Sequence, residues 1–106
     1  MNVPKVIADL VEAQNNSDST AFSNLFSETA VVKDEGHRYQ GKDAVKKWNE
    51  ATTEKYAPKI KFLKMDQNHS KTVVAMEVSG NFDGSPAVLH YHFEIKNDEI
   101  TALEIS

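Results

Sequence analysis

Beginning at Val3, the apolar residues Val6, Ile7, Leu10 and Val11, with Gln14 beyond them, recur at three- and four-residue steps, the spacing of one face of an amphipathic helix. This predicts a first helix over about Pro4 to Gln14. Pro4 suits the first turn, where a missing N–H forfeits no intrahelical bond, and the polar run Asn15-Asn16-Ser17-Asp18 ends the helix. Ser17 or Asp18 can cap a second, shorter helix whose apolar stripe is Phe22, Leu25 and Phe26 and which ends near Ser27. Ala30 to Asp34 then turns β-like, and Gly36 and Gly41 bracket His37-Arg38-Tyr39-Gln40 as a short hairpin. Asp43 suits the cap of a third helix, with Val45, Trp48, Ala51 and Thr52 on one face, Lys46, Lys47, Glu50 and Glu54 in solvent, and Pro58 as its limit.

Beyond Ile60 the period changes to two. Turn clusters at Gln67-Asn68-His69-Ser70, Asp83-Gly84-Ser85-Pro86 and Asn97-Asp98-Glu99 punctuate what reads as a three-strand antiparallel meander. Its most regular stretch alternates Leu89, Tyr91, Phe93 and Ile95 with His90, His92, Glu94 and Lys96, so one face is apolar and the other polar. A slip of one residue would bury two histidines and two charges, which specifies the register well. Val74, Met76, Val78 and Phe82 alternate in the same way with Ala75, Glu77, Ser79 and Asn81, as do Leu103 and Ile105 with Ala102 and Glu104. Helices first and strands afterwards predict an α+β domain, with helices on one face of an antiparallel sheet.

At 106 residues, 40% apolar and 26% charged, the chain has the size and composition of one domain, 1–106, with no repeat or linker at which a second would begin. It has no cysteine, so disulfides, thiolate nucleophiles and Cys-type metal sites are excluded. Asp9 and Glu12 interrupt the N-terminal apolar run too early for a signal-peptide core or a membrane span, and a cytoplasmic setting is the expectation. A net charge of −4, with lysines scattered among acids, lacks the basic face a phosphate backbone requires. Neither nucleic acid nor membrane is an expected partner, and Lys46 and Lys47 read as a solvated helix face.

The order helix, helix, short strand pair, helix, meander resembles the NTF2-like superfamily, which includes ketosteroid isomerases and SnoaL-type cyclases. The resemblance spans almost the whole chain. It is carried most specifically by Asp18-x-x-x-Phe22-x-x-Leu25-Phe26-Ser27-Glu28-x-Ala30-Val31-Val32-Lys33-Asp34 and by Gly41-x-x-Ala44-Val45. It implies a cone-shaped fold, N-terminal helices packed on a strongly curved antiparallel sheet, with the site inside the cone. The scaffold hosts both enzymes and non-enzymes, so fold transfers more readily than function.

In the isomerase branch an aspartate at the end of the first strand is the general base, and ungapped spacing from Asp18 places it at Asp34 here. A carboxylate in a largely apolar cone has its charged form disfavoured and its proton affinity raised, which suits removal of a proton alpha to a carbonyl. Neither oxyanion donor of that branch is retained in kind: the tyrosine's place falls near Leu10 and the aspartic acid's at Tyr91. Leu10 cannot donate a hydrogen bond, whereas the Tyr91 phenol can. Loss of one such donor costs on the order of a hundredfold in rate, so efficient ketosteroid isomerisation is not expected.

Other readings stand beside these. Asp34 reads equally as a solvated turn carboxylate, with Glu35 as the inward neighbour, and Tyr91 as a core tyrosine satisfied by a backbone carbonyl or water. Phe22, Phe26, Trp48, Tyr56, Met76 and Phe93 line an apolar pocket or make up the plain core. His90, His92 and Glu94 share a strand face and suit zinc or iron(II) in kind, but the spacing matches no metal motif, and no metal or other cofactor is expected. That face is instead the expected seam of a homodimer through the open sheet face. His37 and His69 fall in turns and are expected to be exposed.

Two functions therefore remain from sequence. One is an enzyme that binds a small apolar molecule and transfers a proton, of isomerase or cyclase type, with Asp34 as base and Tyr91 as hydrogen-bond donor. The other is a non-catalytic ligand-binding or dimerisation module. A cavity with convergent polar groups and a perturbed carboxylate separates the first from a packed module.

Overall fold

A computed structural model describes residues 3–68 and 70–106; the expectation for His69 lies outside the described residues. Three helices, Lys5–Asn15 (α1), Ser19–Ser23 (α2) and Lys42–Tyr56 (α3), accompany six strands: Phe26–Asp34 (β1), His37–Gln40 (β2), Lys59–Gln67 (β3), Thr72–Ser79 (β4), Ala87–Lys96 (β5) and Glu99–Ile105 (β6). All six form one sheet in the order β2-β1-β6-β5-β4-β3. Neighbouring strands are antiparallel except β1 and β6, which run parallel, so the sheet is mixed. The register shifts at Phe26/Val31, Phe62/Lys64 and Glu94/Ile95, and such bulges bend and twist the strands that carry them.

α1 buries Val6, Ile7, Leu10 and Gln14 of the stripe expected from the three-four spacing, together with Ala13, while Val3 and Val11 are half-buried. Its last residue fastens it to the sheet: Asn15 Nδ2 donates to the Ile60 carbonyl at 2.9 Å and Asn15 Oδ1 accepts from the Ile60 N–H at 2.7 Å. Asp18 caps α2 by accepting from the Ala21 N–H. α2 is shorter than expected and stops at Ser23, while Phe26 begins a strand. The reason is tertiary: Phe26 pairs with Ile100 of β6, and the Ile100 N–H donates to the Leu25 carbonyl at 2.9 Å. Phe22 and Phe26 still meet, with ring centroids 5.4 Å apart, so their spacing read as helical.

The cap of α3 also differs from expectation. Gly41 holds that position with φ +93, a conformation that favours glycine, and Asp43 lies in the first turn, where its charge complements the helix dipole. The buried face is Val45, Trp48 and Asn49, whereas Ala51 is exposed.

The meander has four strands rather than three. β3 lies at the sheet edge with Lys59, Lys61, Lys64 and Asp66 outward, which weakens its alternation. β5 follows the expected register: Tyr91 and Phe93 are buried, Leu89 and Ile95 half-buried, and His90 and Glu94 exposed. The core lies between the helices and the inner sheet face, where Phe22, Phe26, Met76 and Phe93 are among its largest fully buried side chains.

Candidate functional site

The site is built where the ends of β1, β6 and β5 line up. Lys33 pairs with Glu104 in parallel register, so one residue on Asp34 stands level with Ile105, and Ile105 pairs with Tyr91. Asp34 and Tyr91 thus flank Ile105 across three adjacent strands, two strand spacings or roughly 9–10 Å apart along the backbone. All three line a cavity of about 310 Å³. That is at the lower end of the roughly 300–1,000 Å³ of small-molecule pockets.

α3 supplies one wall. Trp48 Nε1 donates to Asp34 Oδ2 at 3.2 Å, which fixes the carboxylate from the helix side. Trp48 itself is held among rings, 6.0 Å from Phe22 and 5.9 Å from Tyr39 by centroid. The next residue, Asn49, is buried and donates through Nδ2 to Gln14 Oε1 at 2.8 Å, while Ser19 Oγ donates to Asn49 Oδ1 at 2.6 Å. One turn of α3 therefore orients two polar residues of the cavity wall, Asp34 and Gln14.

Burial raises the proton affinity of Asp34 above that of an ordinary carboxyl. The Trp48 hydrogen bond opposes this, the neighbouring Glu35 charge adds to it, and His37 works against it. Tyr91 is shifted upward too, by burial first and by the Asp34 charge second, so its phenol stays protonated and available as a donor. Asp34 can accept a proton and Tyr91 can donate a hydrogen bond within one partly apolar space.

Of the residues singled out from sequence, Asp34, Tyr91, Phe22, Trp48 and Tyr56 lie on the cavity wall. Phe26, Met76 and Phe93 do not; they are fully buried in the core, because the close packing of β1, β4 and β5 against the helices leaves no open space beside them. Leu10 is likewise fully buried in the core and lies off the cavity wall. Glu35 also reaches the wall but is exposed, whereas Asp34 is half-buried, so Asp34 is the inner of the two. His90 and Glu94 are exposed, and His92 lies 3.0 Å from Ser106 Oγ. No group of three potential ligands from His, Asp and Glu could hold a metal ion among the described residues.

Sequence reasoning passed over Gln14, Asn49 and Thr52 as polar parts of the site. Gln14 was visible as the polar end of the α1 stripe, but its polarity carried no chemical motif. No described helix is long and apolar enough to cross a membrane.

Comparison with known proteins agrees with this architecture. The crystal structure of a protein provisionally named a polyketide cyclase, from Sinorhizobium meliloti, is 36% identical, with 98% of this chain and 95% of that one covered and a TM-score of 0.93. A Catenulispora acidiphila protein with a ketosteroid isomerase-like fold, crystallised with trimethylamine, superposes with a TM-score of 0.88 at 15% identity, covering 99% and 86% of the two chains. An epoxide hydrolase/cyclase-like enzyme of pyran ring formation in salinomycin gives 0.79 at 14% identity over 95% and 86%. At such low identity the last two show the fold alone. No curated protein matches the chain. The SnoaL-like domain model matches residues 7–103, nearly the whole chain, with Asp34 and Tyr91 inside the match, and the chain therefore belongs to the SnoaL-like family, with the NTF2-like, ketosteroid isomerase-like fold.

Proposed function

We propose that this protein binds a small carbonyl compound in the cavity and moves a proton on it, with Asp34 as general base and Tyr91 as hydrogen-bond donor to the carbonyl oxygen. The observation that carries the reading is a half-buried carboxylate of raised proton affinity in the same cavity as a protonated buried phenol. Asp34 would take a hydrogen alpha to the carbonyl; the C–H electron pair moves into the carbonyl as an enolate, and Tyr91 stabilises the oxygen. Where a β,γ-double bond is conjugated with the enolate, return of the proton to the γ-carbon gives isomerisation; attack of the enolate carbon on a second carbonyl within the molecule, whose oxygen takes up the proton held by Asp34, gives cyclisation. The similarity to the Sinorhizobium meliloti protein named a polyketide cyclase supports the latter outcome. With Leu10 in the core, where it supplies no second oxyanion donor, Δ5-3-ketosteroids are poor substrates in this reading.

A thermal-shift titration with small phenols, which mimic an enolate in shape and hydrogen bonding, tests the reading on wild type and Asp34→Asn. Stabilisation of the wild type, with an altered response in the variant, is the expected result. Absence of any shift in either protein would remove the ligand site.

A further inference from the structure

Gln14 lies in the last turn of α1 and is 6% exposed. Its two amide atoms are in different positions. Oε1 accepts from Asn49 Nδ2 at 2.8 Å, and Asn49 is in turn held by the Ser19 hydroxyl at 2.6 Å, so the orientation of the Gln14 amide is set by a chain of bonds through three helices. Nε2 is buried and has no hydrogen-bond partner among the described residues. Among the described residues, the two other buried side-chain polar atoms without partners, Ser27 Oγ and Thr53 Oγ1, belong to residues away from the cavity wall, whereas Gln14 is part of it. A buried amide N–H without an acceptor costs stability, and native structures keep few of them. Nε2 has almost no accessible surface, so with Oε1 committed to Asn49 an acceptor bound in the cavity that Gln14 lines reaches it through a small shift of the side chain.

We infer that Gln14 is a specificity-determining ligand contact whose Nε2 donates to an oxygen of the bound molecule, so that the cavity selects a small carbonyl compound carrying a second oxygen acceptor. The inference rests on the cavity being the ligand site proposed above. Tyr91 holds the oxygen at the reacting end, and Gln14 reads a second oxygen beyond it. The Thr52 hydroxyl on the same wall is already committed to the Asn49 carbonyl at 3.1 Å, and a molecule that lacks the second oxygen leaves Nε2 unpaired and binds less well. A small linear or cyclic dicarbonyl has the two acceptors.

The test compares para-hydroxyacetophenone with para-isopropylphenol, equal in heavy atoms and differing in the acceptor, by calorimetric titration of wild type, Gln14→Met and Asp34→Asn. Gln14→Met is expected to lose about tenfold in its preference for the acetyl compound over para-isopropylphenol relative to wild type, the ratio being read whatever happens to the affinity for both. The ratio between proteins cancels the different acidities of the two phenols. An unchanged preference in folded Gln14→Met overturns the inference while leaving the ligand site intact. Binding of neither phenol to wild type overturns the site and the inference together. Should Gln14→Met fail to fold, the side-chain amide protons of Gln14 in the wild type are followed by NMR. A downfield shift with the acetyl compound alone supports the contact, and equal response to both phenols overturns it.

Discussion

Trp48 Nε1 donates to Asp34 Oδ2 at 3.2 Å, so the helix residue that closes the aromatic cluster also sets the orientation and charge of the inner carboxylate. The bond is the main influence lowering the proton affinity of Asp34 against the burial that raises it. Trp48→Phe removes the donor and keeps most of the ring packing. The proton affinity of Asp34 is then expected to rise further, seen as a higher midpoint for its carboxyl carbon in an NMR pH titration. A hydrogen bond to a charged acceptor contributes about 1.5–3 kcal/mol, part of which the variant loses in stability at neutral pH. A midpoint that stays or falls contradicts the role assigned to Trp48.

Asp34 itself is expected to destabilise the fold at neutral pH. Its folded proton affinity is raised, so the native state holds a proton that the unfolded chain has released, and stability falls as pH rises from the ordinary carboxylate range through the folded value. Asp34→Asn keeps an oxygen acceptor for Trp48 and removes the charge. Thermal melts are expected to show the variant more stable than wild type at pH 7 and equal to it near pH 3. Equal melting at both values would show that the carboxylate is solvated.

Asn49 joins Ser19 to Gln14 from a position only 2% exposed. Asn49→Ala orphans Gln14 Oε1 and removes the partner of the Ser19 hydroxyl, and each buried polar group left unpaired costs about 1–3 kcal/mol. Urea denaturation should show a loss of at least about 2 kcal/mol. A loss below about 0.5 kcal/mol would mean that the network does not hold the helices.

Gly80 lies against the end of α3. A Cβ there would stand 2.6 Å from the Tyr56 carbonyl oxygen and 3.3 Å from the Pro58 Cα, both backbone atoms that cannot swing aside. Tyr56 also packs edge-on to Phe82, with ring centroids 6.0 Å apart, and both residues line the cavity. Gly80→Ala is expected to cost about 1–3 kcal/mol and to weaken phenol binding as that wall moves. Unchanged stability and binding would show that the backbone yields without effect on the site.

The helix α1 stripe and the β5 alternation were legible because their burial is set by local period: Val6, Ile7 and Leu10 face inward from one, Tyr91 and Phe93 from the other. The end of α2 was not legible, because Phe26 is drawn into a strand by Ile100, a partner 74 residues on. β3 hid behind its lysines, as an edge strand does. The family resemblance pointed to Asp34 and the β5 alternation to an inward-facing Tyr91, and the register of β1, β6 and β5 places the two residues two strands apart. Asn49 and Gln14 were not, since a buried amide on a helix shows no sequence signal until its partner from another helix is known. For Phe26, Met76 and Phe93, apolar alternation says that a side chain faces inward but not whether it meets a neighbour or a void.

The proton-transfer claim is tested most directly by the exchange of ketone alpha-hydrogens for deuterium in heavy water, followed by NMR for wild type and Asp34→Asn across a pH range. A small cyclic dicarbonyl is the probe. The account predicts exchange catalysed by the wild type, rising with pH through the raised ionisation of Asp34 to a plateau, and reduced on the order of a hundredfold or more in the variant. Exchange at the same rate in both proteins, or at the buffer rate in the wild type, would contradict it.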